Sequence, residues 1–206
     1  MKRIGVLVSG GGTNLQSIID AVERGSLNAT IAPVISNKPG VFALERAARH
    51  GIPALVIDHR DYSDRMGFTR AVRDSLLDYG VELVCLAGFL RILDPIFFEA
   101  FPNRVLNIHP ALLPAFGGQG MYGHHVHQAV LASGAKFSGA TVHLVTPETD
   151  VGPIIIQDTV EVADDDTSDS LAAKVLQVEH RIYPEAIRRV LEERIAIDGL
   201  RVRLKR

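Results

Sequence analysis

Asn107 and His109 stand two apart near the end of an apolar run, Val105-Leu106-Asn107-Ile108-His109, and Pro110 follows them. Side chains two apart on a strand share a face, so the pair is predicted to point the same way. Proline donates no ladder hydrogen bond, which places the pair at the strand's carboxyl end. Two polar side chains closing an apolar strand cost free energy unless they are paired or working. A carboxamide donor beside an imidazole suits acyl or formyl transfer. When an amine attacks such a carbon, negative charge collects on the oxygen, and one positioned donor there is worth about 3–4 kcal/mol of barrier. His109 donates best as a cation, which calls for a carboxylate nearby. Asp150, in the turn Thr146-Pro147-Glu148-Thr149-Asp150-Val151-Gly152-Pro153, is the candidate. The plain alternatives are a structural strand-end histidine and an aspartate that only forms a turn. No Ser or Cys stands where a nucleophile would, so direct transfer without a covalent intermediate is expected.

The second feature is the turn Ser9-Gly10-Gly11-Gly12-Thr13-Asn14, which leaves one apolar run and opens an amphipathic one. Backbone N–H groups and a helix dipole at such a place favour an anion. A dinucleotide site would need a glycine where Leu15 stands and an acid near Ser36-Asn37-Lys38; the P-loop lysine is also missing. A phosphomonoester is the better expectation, against a structural turn with no ligand.

The elements that position these residues follow from hydrophobic period. Strands are predicted over 4–8, 31–35, 54–57, 83–87 and 105–108, and helices over 14–24 (capped by Asn14), 42–50, 65–79 and 95–101. Strands alternating with helices at this spacing imply an α/β fold with a doubly wound, mostly parallel sheet flanked by helices. Farther on, 138–145 reads as an alternating strand, 154–162 as another, and 169–193 as one long helix. The run Asp164-Asp165-Asp166 before it reads as a solvated loop. No linker or repeat divides the chain, so residues 1–206 are expected to form a single domain, with a phosphate-binding half over 1–100 and a catalytic half over 101–206.

A chain of 206 residues with 47% apolar content supports a packed core. The net charge is −2, and the short tail from Arg201 to Arg206 is the one basic stretch, so nucleic acid is not the expected partner. The single cysteine, Cys85, lies in an apolar run and reads as an inert buried thiol. With no signal-peptide pattern and no apolar stretch near the ~20 residues of a membrane helix, a cytoplasmic location is expected. His124, His125 and His127 invite a metal reading, but neighbours one and two apart do not share a helix face, so a loop or helix-cap role is preferred and no metal is expected. His143, flanked by Val142 and Leu144, reads as structural or as a support to the site.

Several segments together resemble the folate-dependent formyltransferases: Val8-Ser9-Gly10-Gly11-Gly12-Thr13-Asn14-Leu15-Gln16, Leu86-Ala87-Gly88-Phe89-Leu90-Arg91-Ile92-Leu93, Asn107-Ile108-His109-Pro110, Asp150-Val151-Gly152-Pro153 and Glu179-His180-Arg181-Ile182-Tyr183-Pro184. The glycine-rich start and the Glu-His element resemble the glycinamide ribonucleotide branch of purine biosynthesis in particular. That resemblance implies a Rossmann-like formyltransferase fold and transfer of a formyl group from 10-formyltetrahydrofolate, as co-substrate, to the ribonucleotide amine. It implies that Gly12, Thr13 and Asn14 hold the substrate phosphate and that Glu179 contacts the ribonucleotide. It assigns the folate to Arg65, Leu90, Arg91, Ile92, Leu93 and Asn107, and makes the half over 101–206 folate-binding as well as catalytic. Asn107, His109 and Asp150 become oxyanion donor, general acid, and the carboxylate that favours the histidine cation and organises water. Small-molecule substrates and a monomer or homodimer are expected.

The segment Phe116-Gly117-Gly118-Gln119-Gly120-Met121-Tyr122-Gly123-His124-His125 departs from the family pattern, being longer by several residues and rich in glycine; it is expected to act as a lid or to alter access. Formyltetrahydrofolate hydrolases resemble the same core but pass the formyl to water and carry an added regulatory domain. The methionyl-tRNA formyltransferases need a basic tRNA-binding domain. From other classes, a nucleotide-binding oxidoreductase is disfavoured by Leu15, and a non-catalytic binding module leaves Asn107, His109 and Asp150 without a task.

Overall fold

The computed structural model describes residues 1–205; Arg206, the end of the predicted basic tail, lies outside the described residues. Two compact units divide the chain, Met1–Asn107 and Ile108–Arg206.

In the first unit β1 (Lys2–Val8), β2 (Ala29–Ser36), β3 (Ala54–Val56), β4 (Leu83–Leu86) and the first three residues of β5 (Val105–His109) pair in the order β3-β2-β1-β4-β5, every pairing parallel. Central β1 is apolar without alternation because both its faces are covered: Ile4, Val6, Leu7 and Val8 are fully buried. The crossovers carry α1 (Thr13–Glu23), α2 (Phe42–Arg49), α3 (Arg65–Asp78) and α4 (Ile96–Ala100). Helix α1 buries Leu15, Ile18 and Ile19, the i, i+3, i+4 stripe that turns one side to the core. The expected cap differs: Gly12, not Asn14, is the N-cap, and Thr13 is already helical. A left-handed Gly12 (φ 72) turns the chain more sharply than an asparagine cap and starts the helix a residue early.

In the second unit β6 (Phe137–Leu144) and β7 (Ile154–Glu161) are antiparallel, beside α5 (His124–Ser133) and α6 (Ser168–Leu191). The chain is thus a mostly parallel α/β fold flanked by helices. Strand β6 does not alternate as expected, since every residue after Phe137 is buried. Thr141 and His143 are tolerated there because they are bonded. Thr141 Oγ1 donates to Ala111 O at 2.6 Å and accepts from Leu113 N and Gln157 Nε2, both at 3.0 Å. The triple-histidine segment opens α5 rather than lying in a loop, with His124, His125 and His127 all in or beside its first turn. The hairpin β8 (Ile195–Asp198) and β9 (Arg201–Leu204) was not anticipated, although Asp198-Gly199 between alternating runs is a turn signal. Among the described residues no helix is long and apolar enough to cross a membrane.

The acidic run before α6 is not wholly solvated. Asp166, with a side chain only 4% exposed, takes hydrogen bonds from Lys174 Nζ at 2.6 Å, Ser170 Oγ at 2.7 Å and Ala163 N at 2.8 Å. Lys174 first, then Ser170 and the Ala163 amide, hold its carboxyl down at about 2, against 3.8 for a free aspartate. A depressed native pKa stabilises the fold above the unfolded value, and that contribution disappears as pH falls through the native one. The Asp166→Asn variant is therefore expected to be less stable than the parent at neutral pH and to converge on it between pH 3.8 and about 2. Denaturant melts across that range check this, and a constant difference at every pH would contradict it.

Candidate active site

The glycine turn is built to present N–H groups. The carbonyl of Gly10 accepts from Ala43 N at 3.2 Å, that of Gly11 from Arg46 Nε at 2.8 Å, and that of Gly12 from Gln16 N at 2.9 Å. With the carbonyls bonded to α1 and α2, the opposite edge of the turn is left for an acceptor. Cβ atoms placed on Gly10 or Gly11 would meet nothing within 4 Å, so there is open space beside them. At Gly12 a Cβ would fall 2.6 Å from Ala43 Cβ and 2.8 Å from its Cα, which requires glycine where α2 crosses the turn. The first turn of α1 carries no acidic residue, so no carboxylate offsets its positive end.

A cavity of about 500 Å³ opens elsewhere in the same unit, lined by His59, Tyr62, Ser63, Asp64, Arg65, Phe68, Leu90, Arg91 and Ile92. Four residues expected to bind folate, Arg65, Leu90, Arg91 and Ile92, are in that wall; Leu93 is only 4% exposed and does not line the cavity. Leu90 and Ile92 are 55% and 57% exposed, a large apolar surface left to water. Phe68 stacks on Phe89 at 6.4 Å behind it. Arg65 is held by Asp94 at 3.3 Å. The aromatic and histidine side of this wall (His59, Tyr62 and Phe68) had no signal in sequence spacing, because it comes from a short 3-10 turn and the start of α3.

In the second unit the turn from β6 to β7 brings Asp150 to His109. Asp150 Oδ2 lies 3.7 Å from His109 Nδ1, and Oδ1 lies 3.7 Å from His143 Nε2. The Gly118 N–H donates to Oδ2 at 2.9 Å. His109 and Asp150 side chains are 5% and 11% exposed. Each imidazole is oriented by its other nitrogen: His109 Nε2–H donates to Phe116 O at 2.8 Å, and His143 Nδ1–H to Leu144 O at 2.9 Å. A carbonyl only accepts, so in the neutral form both rings turn a lone pair, not an N–H, toward the carboxylate. At 3.7 Å neither is a direct hydrogen bond. Burial, more than any neighbour, lowers the pKa of His143 below the usual histidine value, so this ring stays neutral. Phe116 (φ 53) and Asp150 (φ 59) adopt the left-handed conformation without being glycine, and such strain gathers at working sites.

A family model described as formyl transferase matches residues 2–187. The chain belongs to the formyl transferase family. It is 45% identical over 196 residues to the phosphoribosylglycinamide formyltransferase, chloroplastic, of Arabidopsis thaliana, covering 94% of this chain and 67% of that one. It is 44% identical to the trifunctional purine biosynthetic protein adenosine-3 of Gallus gallus over 91% of this chain but only 18% of the relative. Among solved structures, glycinamide ribonucleotide transformylase 1 from Symbiobacterium toebii superposes with a TM-score of 0.96 at 48% identity, covering 100% of this chain and 95% of that one. A formyltetrahydrofolate deformylase from Pseudomonas syringae superposes at 0.90 with 27% identity, and this formyltransferase chain spans 66% of it.

Other expected site residues of this formyltransferase are placed less directly. Asn107 is half-buried on β5 and carries a polar contact of its own. Glu179 is 7% exposed on α6 and likewise engaged. His124 pairs with Asp169 at 3.4 Å and His125 meets Tyr122 edge-on, so these two do not converge. Sequence reasoning passed over Thr141 and Gln157. Gln157 Nε2 donates to Leu113 O at 2.7 Å, and with Thr141 it fixes the backbone that leaves His109.

Proposed function

We infer that this chain transfers the formyl group of 10-formyltetrahydrofolate to the amine of glycinamide ribonucleotide, a step of purine biosynthesis. The observation that carries the chemistry is the 3.7 Å approach of Asp150 to His109, some forty positions apart in sequence. The turn Gly12-Thr13-Asn14 takes the substrate phosphate on its N–H groups, and Glu179 binds the ribonucleotide. The cavity at Leu90 and Ile92 takes the folate, its apolar wall meeting the ring system and Arg65 and Arg91 facing carboxylates.

The amine nitrogen bonds to the formyl carbon, and the carbonyl electron pair moves onto oxygen. Asn107 donates to that oxyanion, and the His109 ring, as a cation, places positive charge beside it. A proton passes from the new C–N nitrogen, through water held by Asp150, to the folate nitrogen. The tetrahedral intermediate then collapses, the bond from carbon to the folate nitrogen breaks, and the neutral folate amine leaves. No group of the chain is consumed. Both substrates are small and water-soluble, which fits a cytoplasmic monomer or homodimer.

The second reading is hydrolysis, favoured by the deformylase likeness. Following deformylated folate spectroscopically with and without glycinamide ribonucleotide separates them. Product that requires the amine is expected; product formed at the same rate without it makes the chain a hydrolase.

A further inference from the structure

Ser9 ends β1's run into the glycine turn, and it is 3% exposed. Its hydroxyl donates to Asn37 Oδ1 at 2.5 Å and accepts the backbone N–H of Leu90 at 2.9 Å. Asn37, also 3% exposed, follows β2; its side-chain amide nitrogen and its backbone carbonyl oxygen lie 3.3 and 3.1 Å from His59 Nδ1. His59 and Leu90 both line the cavity. One buried hydroxyl thus joins the mouth of the phosphate turn to two walls of the proposed folate pocket. The stretch around Leu90 belongs to no helix or strand, so its backbone is placed by bonds of this kind. Because Asn37 takes the hydroxyl proton, the oxygen lone pairs are turned to the Leu90 amide, and the direction of the bond is fixed.

We propose that Ser9 is a positioning residue for the folate: its hydroxyl, aimed by Asn37, sets the Leu90 backbone so that the 90–92 strip presents the pocket wall in register. This rests on the folate reading of the cavity. Ser9 touches neither substrate, and its loss is felt as misplacement of the strip rather than loss of chemistry.

The test is two-substrate kinetics on the full chain with Ser9→Ala, Ser9→Thr and Asn37→Ala, alongside thermal melts. Ser9→Ala leaves the Leu90 N–H unbonded and is expected to raise the folate KM on the order of tenfold, with kcat and the ribonucleotide KM changing less than about threefold. Ser9→Thr keeps the hydroxyl and is expected to restore most of the folate KM. Asn37→Ala acts in the same direction and carries the test should Ser9→Ala not fold. A lowered melting temperature with an unchanged folate KM makes Ser9 merely structural and overturns the proposal. Arg65→Ala serves as the control for the pocket. Should it leave the folate KM unchanged while Ser9→Ala raises it, the folate reading of the cavity fails and this account of Ser9 falls with it; the reverse pattern removes Ser9 alone.

Discussion

Replacing Asp150 by Asn is expected to lower kcat by about 10²–10³-fold while leaving the melting temperature close to that of the parent. The side chain keeps its shape, and a carboxamide oxygen still accepts the Gly118 N–H, so the turn between β6 and β7 is held as before. What is lost is the negative charge beside His109. In the proposed mechanism a second proton on that ring would then face an amide, and the water that relays the proton would lose its acceptor. His109→Ala should cost a similar factor. The double variant should cost little more than either single one, because the two groups act as a unit. Steady-state rates with both substrates saturating check all three, and near-parental turnover in Asp150→Asn would remove the carboxylate from the mechanism.

Gly152→Ala is the opposite kind of lesion. A Cβ there would lie 1.8 Å from Leu144 O and 2.9 Å from its carbonyl carbon, atoms of the backbone that cannot rotate away. Leu144 is also bonded through its N–H to Pro153 O at 2.9 Å, and its carbonyl orients His143. The added methyl must part β6 from the turn, at a cost on the order of 3 kcal/mol. For a domain of this size that is about 10 °C in melting temperature. Turnover should fall with stability, since Asp150 sits two residues upstream. A variant that melts like the parent would show the turn has room that the structure denies it.

Most strands and helices were legible because burial on both faces of a parallel sheet leaves unbroken apolar runs such as Ile4-Gly5-Val6-Leu7-Val8. The approach of Asp150 to His109 was expected because a histidine cation at a strand end calls for a carboxylate nearby. Misreadings arose where one side chain compensates another at a distance. Nothing in Thr141 or Asp166 marks their side chains locally as buried; each is tolerated inside only through its partners. The N-cap at Gly12 was missed for a related reason, since the crossing of Ala43 decides it. The lining of the cavity by His59, Tyr62 and Phe68 needed the path of a turn that no period announces.

The long glycine-rich segment that follows β5 ties two side chains to one piece of backbone. Its Phe116 carbonyl accepts from the imidazole of His109, and its Gly118 amide donates to the carboxylate of Asp150. A substitution that shifts this segment therefore displaces both side chains at once, so the spacing of the pair is inherited from a loop rather than set by either side chain alone.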